Sequence, residues 1–182
     1  MNEAEASRYL PNYTLADYEQ WEGDWELWDG HPVAMVPSPG FGHQRVAGRL
    51  FVALNQLLDK QGGCHCETLY EIDWRVSDNT VVRPDLLVVC EPIETKWVEV
   101  TPTLIAEVLS PSTSQNDLTY KRRLYAREGV KYYLIVDPEA KTVEALALQG
   151  DTYAAIRSDD AVLSFELHDG CAVSLAVAGL WA

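Results

Sequence analysis

The sequence predicts a single α/β (α+β) domain in which a mixed β-sheet core is flanked by helices and extended by β-hairpins. Apolar residues recur at helical spacing over 42–60, apolar strand-like runs fill the middle of the chain, and a second helical segment separates two of those runs. A chain of 182 residues suits one hydrophobic core. We therefore expect one domain over 13–182, preceded by a flexible N-terminus at 1–12.

The first expected elements are a short helix, a hairpin and a long helix. Thr14 is a suitable N-cap for the short helix, because its hydroxyl can accept a bond from a backbone N–H of the first turn. Asp29-Gly30 lies between two strand-like segments, 25–28 and 31–36, and this dipeptide is the strongest hairpin signal in the chain. The long helix over 42–60 follows.

Strands are expected to dominate the rest of the chain, at 64–76, 81–90, 103–109, 130–136, 141–148 and 152–157. The run 103–109 is almost continuously apolar, which is typical of a central strand buried on both faces. A helix over 115–128 should follow it, starting at a capping box of Ser114 and Asp117. A terminal amphipathic helix is expected around Ser174–Trp181.

The charge of the chain is strongly negative, with a formal net charge of -14. Such a protein should repel nucleic acid over most of its surface. The segment 121–131 is the exception, since it holds five basic residues against Glu128 alone. A DNA partner would therefore be met locally by this basic segment.

The sequence also predicts a cytoplasmic location. No apolar run approaches the roughly 18 residues that a membrane helix needs, so no membrane association is expected. The acidic N-terminus does not resemble a secretory signal. The four cysteines are irregularly spaced, and without an export signal we expect them to be free thiols.

Two acidic residues stand at unusual places in apolar strands. Asp85 follows Pro84 at the start of a hydrophobic run, where it could cap a turn or serve as a ligand. Glu107 lies inside the run 103–109, and a buried carboxylate costs several kcal/mol unless it is paired or coordinates a metal. A structural ion pair would satisfy Glu107 alone. A divalent cation with hard oxygen ligands would account for both acids.

Lys121 lies on the helix that leaves the Glu107 strand. It could form a surface pair with Asp117, one turn earlier, worth a few tenths of a kcal/mol. If the helix packs back on the sheet, Lys121 could instead reach the two carboxylates and offset charge on a phosphoryl oxygen.

The combined pattern resembles the Uma-type endonuclease family, which belongs to the PD-(D/E)XK restriction-endonuclease-like superfamily. The matching residues run from about Thr14 to Pro138 and include Trp25-Glu26-Leu27-Trp28-Asp29-Gly30, Ser38-Pro39, His43-Gln44, Pro84-Asp85, Glu107-Val108-Leu109, Ser110-Pro111-Ser112-Thr113, Asp117, Lys121, Tyr125, Gly129-Val130 and Val136-Asp137-Pro138.

The resemblance implies a restriction-endonuclease-like fold and a Mg²⁺- or Mn²⁺-dependent hydrolase that cleaves DNA phosphodiester bonds. It implies that Asp85 and Glu107 are metal ligands, with the Val108 carbonyl as a third, and that Glu26 and His43 complete the site. The superfamily lysine normally stands two residues after the acid, where this chain has Leu109. Lys121 is then its replacement on the next helix.

Other interpretations of these residues stay open at this point. Glu26 could be one more solvated acid, and His43 could make ordinary contacts at a helix start. Cys64-His65-Cys66 could suggest zinc, but alternation along a strand puts His65 on the opposite face from the cysteines. Glu71 and Asp73 are expected to face solvent.

A second class of function also stays open. The fold could serve as a catalytically silent module for binding or assembly, which the strong acidity favours. A homodimer is compatible with either function.

Overall fold

Mixed α and β structure, mostly sheet, makes up the described part of the chain. The computed structural model describes residues 11–35, 40–61, 63–110, 117–156, 162–168 and 170–182. Residues 1–10 of the expected flexible N-terminus therefore lie outside the described residues, and so does the predicted cap Ser114.

The helical segments are α1 (Leu15–Tyr18), α2 (Phe41–Asp59), a π-helical turn (Asp117–Lys121) that runs into α3 (Arg122–Arg127), and a final 3₁₀ turn (Val177–Leu180). Thr14 caps α1 through a capping box with Asp17, as expected. The strands are β1 (Trp25–Trp28), β2 (His31–Ala34), β3 (Glu67–Tyr70), β4 (Trp74–Ser77), β5 (Thr80–Val82), β6 (Leu86–Val89), β7 (Leu104–Val108), β8 (Tyr132–Asp137), β9 (Thr142–Gln149), β10 (Thr152–Ala155), β11 (Val162–His168) and β12 (Cys171–Ala176).

The main sheet has six strands in the order β10-β9-β8-β7-β6-β3. Its pairs are antiparallel except β7 with β8, which are parallel and are connected through the π turn and α3. The predicted mixed sheet is therefore confirmed. β7 is buried at all five positions, as its apolar run indicated.

Apolar side chains cover both faces of the main sheet. On one face, Val46, Leu50 and Leu54 of α2 pack with Leu86 and other core residues. On the opposite face, Leu124 and Tyr125 of α3 pack with Leu87 and Ile105. Since alternate residues of a strand point to opposite faces, Glu107 shares the α3 face with Ile105.

A four-stranded sheet in the order β2-β1-β5-β4 lies beside the main sheet. The sequence predicted one strand over 81–90, but β5 belongs to the small sheet and β6 to the main sheet. Pro84 separates them because proline lacks the N–H that a continuous ladder would need. The predicted strand over 64–76 is likewise two strands, separated near Glu71, whose φ is 45°.

The predicted terminal helix over 174–181 is wrong. Residues 171–176 form β12, whose positions alternate between buried and exposed, and β12 pairs with β11. A period of two is the pattern of a strand with one covered face. Only the 3₁₀ turn at Val177–Leu180 is helical.

The expectation of free thiols is also wrong. Cys64 is bonded to Cys171, and Cys66 to Cys90. Among the described residues, no helix is long and apolar enough to cross a membrane.

Candidate functional site

Asp85 and Glu107 lie opposite each other on neighbouring strands. β6 pairs with β7 with Leu86 opposite Ala106, so the next pair in the antiparallel register is Asp85 and Glu107. The Asp85 amide lies 3.4 Å from Glu107 Oε2. The Glu107 carboxylate contacts Lys121 and Tyr125, whereas the Asp85 carboxylate contacts His43 of α2 and the Val108 amide.

Asp85 is held from two directions. Its Oδ2 accepts a hydrogen bond of 2.7 Å from the Val108 amide and lies 3.1 Å from His43 Nε2. His43 belongs to the first turn of α2 and is buried. The Asp85 side chain is 19% exposed, so the site is open to solvent at this acid. His43 is therefore part of the carboxylate site, and the Val108 amide is the group that contacts Asp85.

Lys121 is buried between two carboxylates. Its Nζ lies 3.1 Å from Glu107 Oε1 and 3.2 Å from Glu26 Oε1, and the residue is 6% exposed. This burial rules out the interpretation of Lys121 as a surface residue. The lysine stands at the end of the π-helical turn, a kind of local widening that is common at functional sites.

Glu26 is a buried acid of the small sheet, so its interpretation as a solvated residue is wrong. Its Oε1 accepts a bond of 2.7 Å from the Arg83 amide, and its Oε2 accepts one of 3.0 Å from Trp28 Nε1. The residue is 4% exposed. β1 carries it to the main sheet because Leu27 pairs with Val81 of β5, the strand that leads through Arg83 to Asp85.

Tyr125 completes the surroundings of Glu107, although the sequence did not assign it to the site. Its hydroxyl donates a hydrogen bond of 2.6 Å to Glu107 Oε1. Burial, followed by the nearby Glu107 charge, raises the pKa of Tyr125 well above its usual value, so the phenol stays protonated. The four-residue spacing from Lys121 places both on one face of a helix, and this signal was available in the sequence.

The charges of this site do not balance. Among the described residues, the carboxylates of Glu26, Asp85 and Glu107 are paired with two groups that can carry positive charge, Lys121 and His43. An excess of negative charge with low exposure attracts a cation. Carboxylates on adjacent strands are hard oxygen donors of the type that Mg²⁺ and Mn²⁺ prefer.

The donor set near Asp85 and Glu107 fits a hard cation that also takes backbone or water oxygens. Among the described residues, only cysteines bring three His, Cys, Asp or Glu ligand atoms within 4.8 Å of one another. Two acids plus backbone or water ligands are the usual supply for Mg²⁺, which keeps much of its water shell.

The basic segment 121–131 divides into buried and exposed parts. Lys121 faces the carboxylates and is not available at the surface. Arg127 is exposed but pairs with Asp29 and Glu128. Arg123 and Lys131 are exposed. The surface charge of this segment is therefore smaller than its composition indicates.

Asp73 does not face solvent, contrary to expectation, whereas Glu71 does. The Asp73 residue is 5% exposed; Arg83 Nε donates to its Oδ1 at 2.7 Å, and the Tyr18 hydroxyl donates to its Oδ2 at 2.9 Å. Glu71 is exposed and accepts a bond from Gln44. The bend at Glu71 separates the strands that were predicted to be one.

Comparisons with known proteins agree with this architecture. A family model described as "Uma2: Putative restriction endonuclease" matches residues 15–178. A solved structure described as "a putative nuclease belonging to DUF820", from Anabaena variabilis ATCC 29413, is similar with a TM-score of 0.74 and 19% identity over 93% of this chain and 97% of that chain. At that identity the structural match shows the fold alone. No curated protein gives a significant match.

Proposed function

We propose a function for this chain on the basis of its family: the chain belongs to the Uma2 family, which is described as "Putative restriction endonuclease". The membership confirms the resemblance seen in the sequence. The function proposed is that of a divalent-metal-dependent endonuclease, of the PD-(D/E)XK type, that hydrolyses DNA phosphodiester bonds.

The observation that carries the proposal is the unbalanced carboxylate site. Asp85 is 19% exposed and lies at the register position opposite the buried Glu107, and Lys121 offsets only part of the negative charge of the described carboxylates. Asp85 and Glu107 would hold Mg²⁺ or Mn²⁺, with the Val108 carbonyl as a third ligand. When bound, such an ion supplies an activated water and stabilises charge on phosphate oxygens.

Lys121 is the proposed cationic residue of the reaction. Its ammonium group lies 3.1 Å from Glu107 Oε1, which supports this role because the proposed metal ligand and the cation are in contact. Leu109 occupies the usual position of that lysine in the sequence. In this proposal Lys121 orients the attacking water and offsets charge that builds on the phosphoryl oxygens.

Glu26 and His43 would act through the residues they contact. Glu26 holds the Lys121 ammonium between two carboxylates, which fixes its position and keeps it charged. His43 holds Asp85 on the Oδ2 side together with the Val108 amide. Both are therefore proposed as positioning residues, since rigid support improves the geometry of a reactive site.

DNA would have to approach a protein of net charge -14. Among the described residues no carboxylate pairs with the exposed Arg123 and Lys131, so these two members of the basic segment could meet phosphates directly. Few phosphate contacts predict weak binding with a shallow salt dependence.

A nuclease assay tests the proposal directly. Plasmid, linear duplex and single-stranded DNA are incubated with the protein in Mg²⁺, in Mn²⁺ and in a chelator. We expect cleavage within the strand that requires a divalent ion and disappears in Asp85→Asn. If no substrate is cleaved with either ion, the enzyme proposal is contradicted and the silent module, which the net charge favours, takes its place.

A further inference from the structure

The four cysteines of the chain meet at one end of the main sheet, far along the sequence from one another. Cys64 and Cys66 precede β3, Cys90 follows β6 and Cys171 begins β12. In the β3–β6 pair Glu67 lies opposite Val89, so the next pair is Cys66 and Cys90. The Cys64–Cys171 pair spans 107 residues and connects the β11–β12 hairpin to the main sheet.

The sulfur atoms of two different disulfides are close together. The Sγ atoms of Cys64, Cys66 and Cys171 all lie within 4.8 Å of one another, and Cys90 is bonded to Cys66. Tetrahedral zinc with Zn–S bonds of about 2.3 Å holds its four sulfurs roughly 3.8 Å apart. Small side-chain movements would bring these three sulfurs to that spacing, and reduction of its bond to Cys66 would leave Cys90 free to take the fourth corner.

We propose that these four cysteines, when reduced, form a tetrathiolate site for Zn²⁺. Cys66 and Cys171 are 8% and 2% exposed, and Cys64 and Cys90 pack against the same apolar cluster. A closed set of four thiolates with little exposure is the pattern of a structural zinc site. His65 is exposed and is not part of the ligand set.

The sulfur site is separate from the carboxylate site. Asp85 precedes β6 and Cys90 follows it, so the two sites lie at opposite ends of one strand. Five residues of extended chain span roughly 17 Å. The two sites also differ in chemistry, because thiolates select zinc and carboxylates select Mg²⁺ or Mn²⁺.

The disulfide and zinc forms are alternatives that a dithiol reductant interconverts. Each disulfide takes two electrons and two protons from one dithiol, which leaves as its own disulfide. Zinc binding then releases the thiol protons to solvent. Both forms hold the β11–β12 hairpin to β3 and β6, whereas the reduced, zinc-free form does not have this covalent or metal link.

A metal titration of the reduced protein tests the proposal. The intact chain is reduced with a dithiol, freed of reductant under nitrogen and titrated with Zn²⁺ and, separately, with Co²⁺. We expect one thiolate-bound zinc per chain, protection of all four thiols from alkylation, a higher melting temperature with zinc, and the thiolate-to-cobalt absorption of a tetrahedral site.

Two variants distinguish zinc binding at the cysteines from zinc binding at the carboxylate site. Asp85→Asn should bind zinc at the cysteines as wild type does, whereas the Cys64→Ser/Cys171→Ser double variant should lose the stoichiometric site. The alkylation measurement on the wild type does not depend on whether that variant folds. Thiols that react equally fast with and without Zn²⁺, or cobalt that binds without thiolate absorption, would overturn the proposal.

Discussion

Two buried groups of charges lie side by side in this protein, and they differ in how their charges balance. In one, Asp73 is held by Arg83 and Tyr18. In the other, Lys121 stands between Glu26 and Glu107, next to Asp85. Both satisfy the rule that a buried carboxylate has charged or hydrogen-bonding partners.

The Asp73 group is balanced. One buried acid meets one guanidinium, and the second acid that Arg83 contacts, Asp24, is 74% exposed. Burial works to lower the pKa of Arg83, but its hydrogen bonds to Asp73 and Asp24 outweigh this and raise the pKa above its usual value. A balanced pair of this kind stabilises the junction of α1 with the small sheet.

Among the described residues, the Lys121 group contains more carboxylates than positively charged partners. The comparison indicates that burial of acids alone does not identify a functional site, since Asp73 is as buried as Glu26. The distinguishing feature is the unmatched charge at an opening to solvent. We therefore expect substitutions in the two groups to respond differently to a divalent cation.

The largest effect is expected for Lys121→Met. Removing the ammonium leaves two buried carboxylates facing each other, which should cost about 3–5 kcal/mol of unfolding free energy. Because Mn²⁺ can replace the lost positive charge, millimolar Mn²⁺ should restore part of that stability while DNA cleavage stays low. Urea unfolding with and without Mn²⁺ measures the first effect. A loss below about 0.5 kcal/mol would indicate a surface lysine and contradict the burial of this group.

Arg83→Met is the matched substitution in the balanced group. It leaves Asp73 with only its Tyr18 partner, so we expect a loss of about 3 kcal/mol. In the same urea experiment, Mn²⁺ should restore less unfolding free energy to Arg83→Met than to Lys121→Met. Equal recovery in the two variants would remove the distinction between the groups.

Asp85→Asn should change function more than stability. The amide keeps the size of the side chain and removes its charge, so cleavage should fall about 100-fold or more, the scale of losing one strong transition-state contact. The melting temperature without metal should change little. Cleavage at the wild-type rate would exclude Asp85 from the reaction.

Tyr125→Phe should have the smallest effect. Losing the hydroxyl bond to Glu107 should cost about 1 kcal/mol at neutral pH. Because burial raises the pKa of Tyr125 above 10.0 in the folded protein, the unfolded chain ionises this phenol first as pH rises. The stability contributed by the phenol is therefore present below pH 10 and lost above it. The difference in unfolding free energy between wild type and Tyr125→Phe should narrow from pH 8 to pH 11. A difference that stays constant over this range would contradict the raised pKa of Tyr125.

The sequence contained enough to predict the mixed sheet, the first hairpin and the acid inside the β7 run. Glu107 could be singled out because a carboxylate in a continuous apolar strand needs a partner. The buried role of Glu26 could not be derived, since its partners Arg83 and Lys121 are remote from β1 in the sequence. The register that places Asp85 opposite Glu107 also depends on contacts remote in sequence.

The main failures came from local ambiguity and from distance along the chain. The segment 174–181 is short and apolar. Such a segment fits both the helical and the strand pattern of apolar residues until its partner strand is known. The disulfides join cysteines 107 and 24 residues apart, a pairing that spacing alone does not determine. Asp73 looked like a strand residue facing solvent because the bend at Glu71 was not visible in the pattern.

A calorimetric titration with Mn²⁺ tests the central claim most directly, which is that the unbalanced carboxylates hold a divalent cation. The proteins compared are wild type, Asp85→Asn and Glu91→Gln, all with both disulfides formed. Glu91 is an exposed acid just beyond β6 and serves as a charge-matched control. We predict one saturable binding event in wild type and Glu91→Gln that is lost in Asp85→Asn. The same binding heat in all three proteins, or none in wild type, would contradict the claim.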